Sequence, residues 1–224
     1  MTKYNFIDKA LYFPVEKILC LGDVHIGYEE ALNKRGILIP RHQFEETMQD
    51  LKNIFEQTGK VDEIVILGDL KHEFGKISEQ EWNETFRFLE FLQERCRKIV
   101  VVKGNHDIIL EPILRKFPAV RFVEVYYYED MAFIHGNKEI KLGKKIKIIV
   151  KGHLHPAITI SSGVKKETYK CFLVGKEKNR EIIILPSFLP IIEGSDVSGE
   201  EEFRNYTCFV VGGKVYEFGK VKNI

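Results

Sequence analysis

The chain has 224 residues, of which 44% are hydrophobic and 30% charged, and its net charge is +1. This composition excludes a disordered protein, and the charge provides no global attraction to nucleic acid or to an anionic membrane. The length suits one α/β domain over residues 1–224 with a substantial core. No repeat, low-complexity tract or Pro-rich linker divides the sequence.

Cysteine usage and hydropathy indicate a cytoplasmic protein. The four cysteines are far apart and form no C-x-x-C pair: Cys20, Cys96, Cys171 and Cys208. Cys20 and Cys208 lie in apolar runs, which predicts buried free thiols and a reducing compartment. No apolar stretch approaches the ~18 residues of a membrane span, and residues 1–10 contain no signal-type apolar core. We therefore expect a cytoplasmic protein without a membrane partner.

The first half of the chain predicts alternating strands and helices. Three apolar runs predict buried strands: 15–21, 61–67 and 99–102. Between them we predict a helix over 41–58, stopped by Gly59, and a second helix that begins at Ser78. Glu81, three residues after Ser78, predicts a capping box. Strand–helix alternation implies a parallel sheet with right-handed crossovers.

The second half is rich in strands. Seven further runs predict strands: 131–134, 146–150, 157–160, 168–174, 181–185, 206–211 and 215–218. They would form a second sheet packed on the first. Residues 185–205 contain Pro186, Pro190, Gly194, Gly199 and an acidic run, which predicts a long loop.

Polar side chains beside glycine follow five of the apolar runs. They are Gly22-Asp23-Val24-His25, Gly68-Asp69, Gly104-Asn105-His106-Asp107, His135-Gly136 and Gly152-His153-Leu154-His155. Ligands of open α/β sheets bind at the carboxyl ends of the strands, so distant motifs can converge there. Of seven histidines, only His42 lies away from these stretches and their flank. Carboxylates and imidazoles gathered at strand ends predict a metal site.

Each motif taken alone is weaker evidence than the set. Asp23 and His25 alone fit a turn acid and a surface histidine, and Gly-Asp is ordinary turn chemistry. The pair His153 and His155 is more informative, because two alternate imidazoles ending a buried strand have little structural use. Six lysines also form a basic run: Lys138, Lys141, Lys144, Lys145, Lys147 and Lys151. This run is either a solvated loop and strand edge or a contact for a phosphate backbone.

In this order the motifs resemble the calcineurin-like metallophosphoesterase superfamily, whose pattern is D-x-H, G-D, G-N-H-[DE], a single His and G-H-x-H. The flanks at 27–29, 35–36, 40–41 and 68–73 add a finer resemblance to small archaeal-type phosphoesterases related to the SbcD repair nuclease. The resemblance implies an α/β fold with two packed sheets flanked by helices, a four-layer α/β/β/α sandwich.

The resemblance also implies a centre with two divalent metal ions per chain. Asp23, His25 and His155 would hold the first metal, Asn105, His135 and His153 the second, and Asp69 would bridge both. Metals ~3.5–4 Å apart share a hydroxide as nucleophile and clamp the attacking and departing oxygens. Manganese is our first choice, and iron, nickel and zinc also accept this ligand set.

Three residues near the second and third motifs are candidates for catalysis or substrate contact. His106 would stabilise phosphoryl oxygens or protonate the leaving oxygen. Protein Ser/Thr phosphatases have an acid three residues after the bridging Asp, where this chain has His72 and then Glu73. We therefore do not expect a phosphoprotein phosphatase. Glu73 either orients His106 or is an exposed loop acid, and His72 either contacts substrate phosphate or is a surface histidine.

The expected activity is hydrolysis of a phosphodiester, a nucleotide or a short single-stranded nucleic acid. Arg35 and Arg41 could bind phosphate through bidentate contacts, or form a solvated helix start. The alternatives are a phosphomonoesterase acting on a nucleotide or other small phosphate, and a non-catalytic interaction module on this fold. The complete ligand set and His106 favour an enzyme. A homo-oligomer is compatible with the sequence.

Overall fold

The first sheet contains the strands that the repeating strand–helix pattern predicts. The computed structural model describes residues 3–191 and 194–224. Six strands follow one another in chain order: β1 (Asn5–Ile7), β2 (Ala10–Phe13), β3 (Ile18–Leu21), β4 (Glu63–Ile66), β5 (Lys98–Val102) and β6 (Val120–Val123). Strands β3 to β6 are parallel, whereas β1 and β2 extend the sheet by antiparallel pairing. The parallel strands therefore end at one common edge.

The helices lie in the connections between these strands. They are α1 (Tyr28–Lys34), α2 (Gln43–Thr58), α3 (Glu79–Gln93) and α4 (Glu111–Leu114). Helix α2 ends at Gly59, whose N–H donates to the Phe55 carbonyl at 2.8 Å. Helix α3 begins after Ser78, whose hydroxyl accepts from the Glu81 N–H at 3.1 Å. None of the described helices is long and apolar enough to cross a membrane.

The second sheet has nine strands. They are β7 (Tyr126–Tyr128), β8 (Met131–Ile134), β9 (Ile148–Lys151), β10 (Pro156–Ser162), β11 (Lys165–Glu177), β12 (Arg180–Ile184), β13 (Ser195–Asp196), β14 (Thr207–Gly212) and β15 (Lys214–Lys220). The order is β13-β10-β11-β12-β9-β8-β7, with β14 pairing with β11 and β15. Strands β8, β9 and β12 are parallel to one another.

Side-chain alternation along the strands builds the layers. In β3, Ile18 and Cys20 face the second sheet, while Leu19 and Leu21 face α2 and α3. The outer face of the second sheet is covered by the crossover 137–147 and by 3-10 helices at Glu201–Phe203 and Val221–Asn223. Residues alternate between two faces in a strand, so both faces of the central strands β3, β4, β8 and β9 are buried, whereas β15 is largely exposed.

The predicted class, two packed sheets flanked by helices, is confirmed. The fourth layer consists of 3-10 helices and loops rather than α-helices. Strands β1, β2, β6 and β7 and helices α1 and α4 are additions to the predicted elements. The predicted loop 185–205 contains the short strand β13 and one 3-10 helix, and its residues 192 and 193 lie outside the described part. The predicted cap at Ser78 is present, and the Glu81 carboxylate also binds the loop before α3 at His72 and Glu73.

Candidate metal centre

Loops that follow five strands meet where the carboxyl edges of the two sheets adjoin. The first sheet contributes Asp23, Asp69 and Asn105 after β3, β4 and β5, and the second sheet contributes His135, His153 and His155 after β8 and β9. The contacts cross from sheet to sheet. Asp23 Oδ1 lies 3.3 Å from His155 Nε2, and Asp69 Oδ2 lies 3.4 Å from His135 Nε2. Asn105 Oδ1 lies 3.0 Å from His135 Nε2, so all five sequence motifs supply directly contacting side chains from the two sheets.

Two groups of potential ligands form within this cluster. One is Asp23, His25 and His155, and the other is Asp69, His135 and His153; within each group the ligating atoms all lie within 4.8 Å of one another. The first group contains the three residues predicted for one metal, and the second joins Asp69 to His135 and His153 of the other predicted set. Asp69 Oδ2 also lies 3.9 Å from His25 Nε2, an atom of the first group. It therefore stands between the two groups, as a bridging carboxylate must.

The first group contains polar atoms that a cation would satisfy. Asp23 is fully buried, and His155 is half-buried. Within residues 3–191 and 194–224, neither Asp23 Oδ1 nor His155 Nε2 has a partner with hydrogen-bond geometry, although the two atoms lie only 3.3 Å apart. A buried carboxylate oxygen without a partner is costly, and a divalent cation between these two atoms would remove that cost. The donor set therefore fits a metal.

The second group is arranged around one atom, Nε2 of His135. It lies 3.0 Å from Asn105 Oδ1, 3.1 Å from His153 Nδ1 and 3.4 Å from Asp69 Oδ2. The other ring nitrogen, Nδ1, donates to the Leu67 carbonyl oxygen at 2.8 Å, because a carbonyl can only accept. Nε2 can share a single proton with one neighbour, whereas a cation would be bound by all of them. The second group thus also fits a metal.

Ionisation in the cluster follows from burial and from the mixture of acids and imidazoles. Burial opposes ionisation of Asp69, but His135 lowers its pKa to about 2. The pKa of Asp23 is shifted in the same direction. Burial would raise it, but the effects of His155 and His135 are larger and lower it. Burial lowers the pKa of His25 to about 3. Both carboxylates are therefore ionised and His25 is neutral at pH 7, the forms that bind metals.

His135 has the opposite shift. Burial disfavours its charged ring, but Asp69 and Asp23 raise its pKa to about 9. At neutral pH the imidazole therefore carries a second proton and a positive charge, and it lies between the two carboxylates. Metal ligation needs the neutral ring, so a bound cation would replace this proton.

Strained backbone holds several of these side chains. Positive φ values occur at His25 (48°), Asp69 (47°), His153 (67°) and His155 (50°). Such conformations cost about 1–3 kcal/mol at non-glycine residues and cluster at functional sites. The neighbouring glycine at Gly104 permits close packing, because a Cβ there would lie 2.1 Å from Asp69 Oδ1. The pairing of glycine with a polar residue in the motifs therefore has a steric reason.

His106 lies at the half-buried lip of the cluster. Its N–H donates to Asp69 Oδ1 at 2.8 Å, and its Nε2 lies 3.9 Å from Asp69 Oδ2. Its Nδ1 contacts the carbonyl oxygen of His72. The sequence suggests the Glu73 carboxylate as the group that orients His106, but the structure places the His72 carbonyl there. Within the described ranges, only backbone atoms of Glu73 form hydrogen bonds.

His72 lies beside the first ligand group. Its Nδ1 is 3.5 Å from His25 Nδ1, and its ring stacks on that of His106 with centroids 5.2 Å apart. Burial, with the charges of His106 and Arg35, lowers the pKa of His72 to about 4. Together with His25 and His106 it forms a third group of potential ligands.

The two candidate arginines have different surroundings. Arg35 is exposed, and its charge contributes to the lowered pKa of His72. Arg41 forms an ion pair with Glu30, with Nη2 to Oε2 at 2.5 Å, and most of its side chain is exposed. Arg41 is thus engaged by a carboxylate, whereas Arg35 forms no ion pair within the described ranges.

Two buried acids, absent from the site predicted from the sequence, hold the loops in place. Asp107 is fully buried and accepts from the N–H groups of Leu70 and Gly104, both at 3.0 Å. Burial and the nearby charge of Asp69 raise its pKa to about 7. Glu81 is also fully buried and accepts from the N–H groups of His72 and Glu73, both at 2.9 Å. Leu70 lies 37 residues from Asp107, and the two partners of Glu81 lie in the loop before α3, so helix and strand patterns could not identify these roles.

A loop from the second sheet supports Asp23. The N–H of Phe188 donates to the Asp23 carbonyl oxygen at 2.8 Å. Lys170 is largely buried and donates to the carbonyl oxygens of Ser187, at 2.8 Å, and Leu189. Burial and the charge of Lys9 lower the pKa of Lys170 to about 7. Through these two hydrogen bonds the Lys170 side chain holds residues 187–189 in place. No local sequence pattern indicates this role.

Comparisons with known proteins agree with this geometry. The chain matches the family model described as calcineurin-like phosphoesterase over residues 16–219. No curated protein gives a significant match. The chain is similar to the crystal structure of Pseudomonas putida nuclease MPE, with a TM-score of 0.70, 20% identity and coverage of 95% of this chain and 93% of that chain. At this identity the likeness supports the fold. The family match spans most of the sequence, and the chain therefore belongs to the calcineurin-like phosphoesterase family of phosphoester hydrolases.

Proposed function

We propose that the chain hydrolyses phosphodiesters at a centre of two divalent metal ions. One observation carries this proposal: Asp69 Oδ2 lies 3.9 Å from His25 Nε2 and 3.4 Å from His135 Nε2, between two groups of potential ligands. A single-metal site would need neither the second group nor a carboxylate between them. The unpartnered atoms of Asp23 and His155 support the same conclusion.

The protein residues divide into two ligand sets. Asp23, His25 and His155 would hold one metal, Asn105, His135 and His153 the other, and Asp69 both. When bound, two such cations lower the pKa of a shared water and neutralise charge on the phosphoryl oxygens. We propose manganese as the first choice, because mixed carboxylate, amide and imidazole ligands suit it; iron, nickel and zinc also accept them.

His106 would act on the phosphate itself. Its Nδ1 is the protonated nitrogen facing the His72 carbonyl, so Nε2 is directed to the cluster. In the imidazolium form, which carries a second proton on Nε2, the ring can give that proton to the leaving oxygen or donate to a phosphoryl oxygen. The contact with the His72 carbonyl fixes the ring, which leaves no ring rotation to be frozen during reaction.

Substrate contacts would come from the site opening. Arg35 and His72 border it, and an Arg guanidinium binds phosphate through paired hydrogen bonds. Arg41 would need to leave Glu30 to do the same, and Glu73 would act only through the loop it shares with His72. We place these four residues at the substrate end of the site, with Arg35 and His72 the nearer pair.

The diester preference rests on the similarity to a protein whose name states that it is a nuclease. A relationship to the SbcD-type phosphoesterases, proposed from the flanking residues, is consistent with that likeness. A diester, a nucleotide or a short single strand would be the substrate. The four free cysteines fit a reducing compartment such as the cytoplasm. We propose no specific oligomer.

A pair of small substrates tests the preference. The protein loaded with Mn²⁺ should hydrolyse bis-p-nitrophenyl phosphate faster than p-nitrophenyl phosphate, and chelation by EDTA should abolish both rates. Release of p-nitrophenol measures both reactions with one chromophore. A diester-to-monoester ratio below one would support a phosphomonoesterase instead. Absence of either activity under Mn, Fe, Ni and Zn would contradict the proposal.

A further inference from the structure

A cavity lies on the outer face of the second sheet, between the sheet and the crossover 137–147. Its volume is about 270 Å³. Outward-facing isoleucines of three adjacent parallel strands line it, namely Ile134, Ile149 and Ile182, and the crossover adds Ile140 and Leu142. We refer to it as the crossover groove. Arg180 holds its wall, because Nη2 donates to the carbonyl oxygens of Leu142 and Gly143 at 3.0 and 3.2 Å.

Cations outnumber acids around the crossover groove. The charged side chains that line it are Lys138, Lys151, Lys178, Arg180, Glu139 and Glu177. Three of these side chains are already engaged: Glu177 accepts from the Tyr206 hydroxyl, Lys138 pairs with Glu124 at 2.5 Å, and Arg180 donates to the two carbonyl oxygens of the wall. In the described ranges, Lys151, Lys178 and the acid Glu139 have no ion-pair partner. The groove therefore combines an apolar floor with an excess of positive charge.

The crossover groove begins beside the metal centre. Val150 faces the core between the sheets, so its neighbour Lys151 faces outward at the carboxyl end of β9. A Cβ at Gly136 would lie 3.6 Å from the Cβ atoms of both Lys151 and His153. Gly136 lines the groove and directly follows the ligand candidate His135. The groove and the metal centre thus share the wall formed by Gly136.

We propose that the crossover groove binds the backbone of a single-stranded oligonucleotide whose scissile phosphate lies at the metal centre. This inference rests on the proposed function, since a strand held here leads into that centre. Lys151 would neutralise a phosphate near the site, and Lys178, in the turn between β11 and β12, a phosphate farther along. The half-buried Ile140 and Leu142, above the buried strand isoleucines, would contact the apolar faces of sugar and base.

The shape of the groove favours a single strand over a duplex. A cavity of about 270 Å³ is near the lower end of small-ligand pockets, so it admits one flexible nucleotide at a time. A duplex presents a rigid convex surface that cannot enter such a recess. Duplex affinity also grows with the number of phosphates neutralised, and the net charge of +1 provides little for that purpose.

The salt dependence of oligonucleotide binding tests this inference. The probe is a fluorescent phosphorothioate oligothymidylate, which resists hydrolysis, and anisotropy reports its binding to the Mn-loaded chain. The variant Lys151→Gln/Lys178→Asn removes both free cations; asparagine tolerates the positive φ of 46° at position 178. For a single strand, each phosphate contact contributes about 0.7 to the magnitude of the slope of log K against log salt. Loss of two contacts should therefore lower that magnitude by about 1.4.

Lys144→Gln/Lys145→Gln is the matched control. Both residues are exposed on the same crossover and do not line the groove, so this variant should keep the wild-type slope. For a duplex of the same length, the two variants should give the same slope of log K against log salt. An unchanged slope in Lys151→Gln/Lys178→Asn, an equal loss in the control, or no binding of the probe would overturn the inference. The single variant Lys178→Asn, expected to lose about 0.7, serves if the double variant misfolds.

Binding of the probe requires no turnover, which separates this inference from the proposed function. If the slope changes as expected but no diester is cleaved, the groove stands and the hydrolytic assignment falls. If diesters are cleaved and the slope is unchanged, the hydrolytic assignment stands and the inference about the groove falls.

Discussion

His106→Gln should lower the rate of diester hydrolysis by roughly 10²–10⁴, the usual contribution of a general acid or base. Its ring lies at the lip of the cluster, with Nε2 3.9 Å from Asp69 Oδ2. Glutamine keeps the main-chain N–H that donates to Asp69 Oδ1, so the metal ligands should stay in place. Metal content should therefore match the wild type while the rate falls. Steady-state kinetics and elemental analysis on the same preparation measure the two quantities.

The matched control for this variant is His42→Gln. His42 is exposed and precedes α2, away from the cluster, so its replacement should leave the rate unchanged. The defect of His106→Gln should shrink for p-nitrophenyl esters relative to alkyl esters, because p-nitrophenol needs less protonation as it leaves. A rate within threefold of wild type on an alkyl diester would remove His106 from the chemistry.

Asp69→Asn should lower activity at least about 100-fold, since loss of even an outer partner of a metal ligand costs about 10–100-fold. The amide oxygen of the introduced asparagine would still accept the His106 N–H, as Asp69 Oδ1 does, so the loop should keep its conformation. The change removes the charge that stands between His25 Nε2 and His135 Nε2. Elemental analysis should show lower occupancy of both metal positions, whereas His155→Ala should mainly empty one.

Asp62→Asn provides the control for charge alone. Asp62 pairs with the exposed Arg97 at 3.7 Å, and such surface pairs contribute about 0–1 kcal/mol. Its replacement should change neither metal content nor rate. If Asp69→Asn retains both metals after dialysis, the bridging assignment is wrong, whatever the activity.

The cluster was predictable because each motif follows an apolar strand whose pattern is local. The apolar run through Ile18, Leu19, Cys20 and Leu21 identifies β3 from the sequence alone, and both of its faces are buried. Parallel strands end at a common edge, so Asp23 and Asp69 had to approach one another. The glycines add a steric signal, as at Gly104, where only hydrogen fits beside Asp69.

The supports of the cluster were not predictable, because they depend on pairs distant in the chain. Glu81 has the position of a capping-box residue, yet its carboxylate binds the loop at His72 and Glu73. Lys170 lies in β11, but its ammonium holds residues near Asp23 in space. From the local sequence alone, Glu81 would be assigned to helix capping and Lys170 to the solvent-exposed surface. Only the tertiary structure shows the competing partner.

The number and position of bound metals test the central claim most directly. Crystals grown with Mn²⁺ should show two anomalous difference peaks per chain at the manganese edge. One peak should lie among Asp23, His25 and His155, the other among Asn105, His135 and His153, with Asp69 in contact with both. A single peak, or two peaks that Asp69 does not join, would contradict the two-metal account.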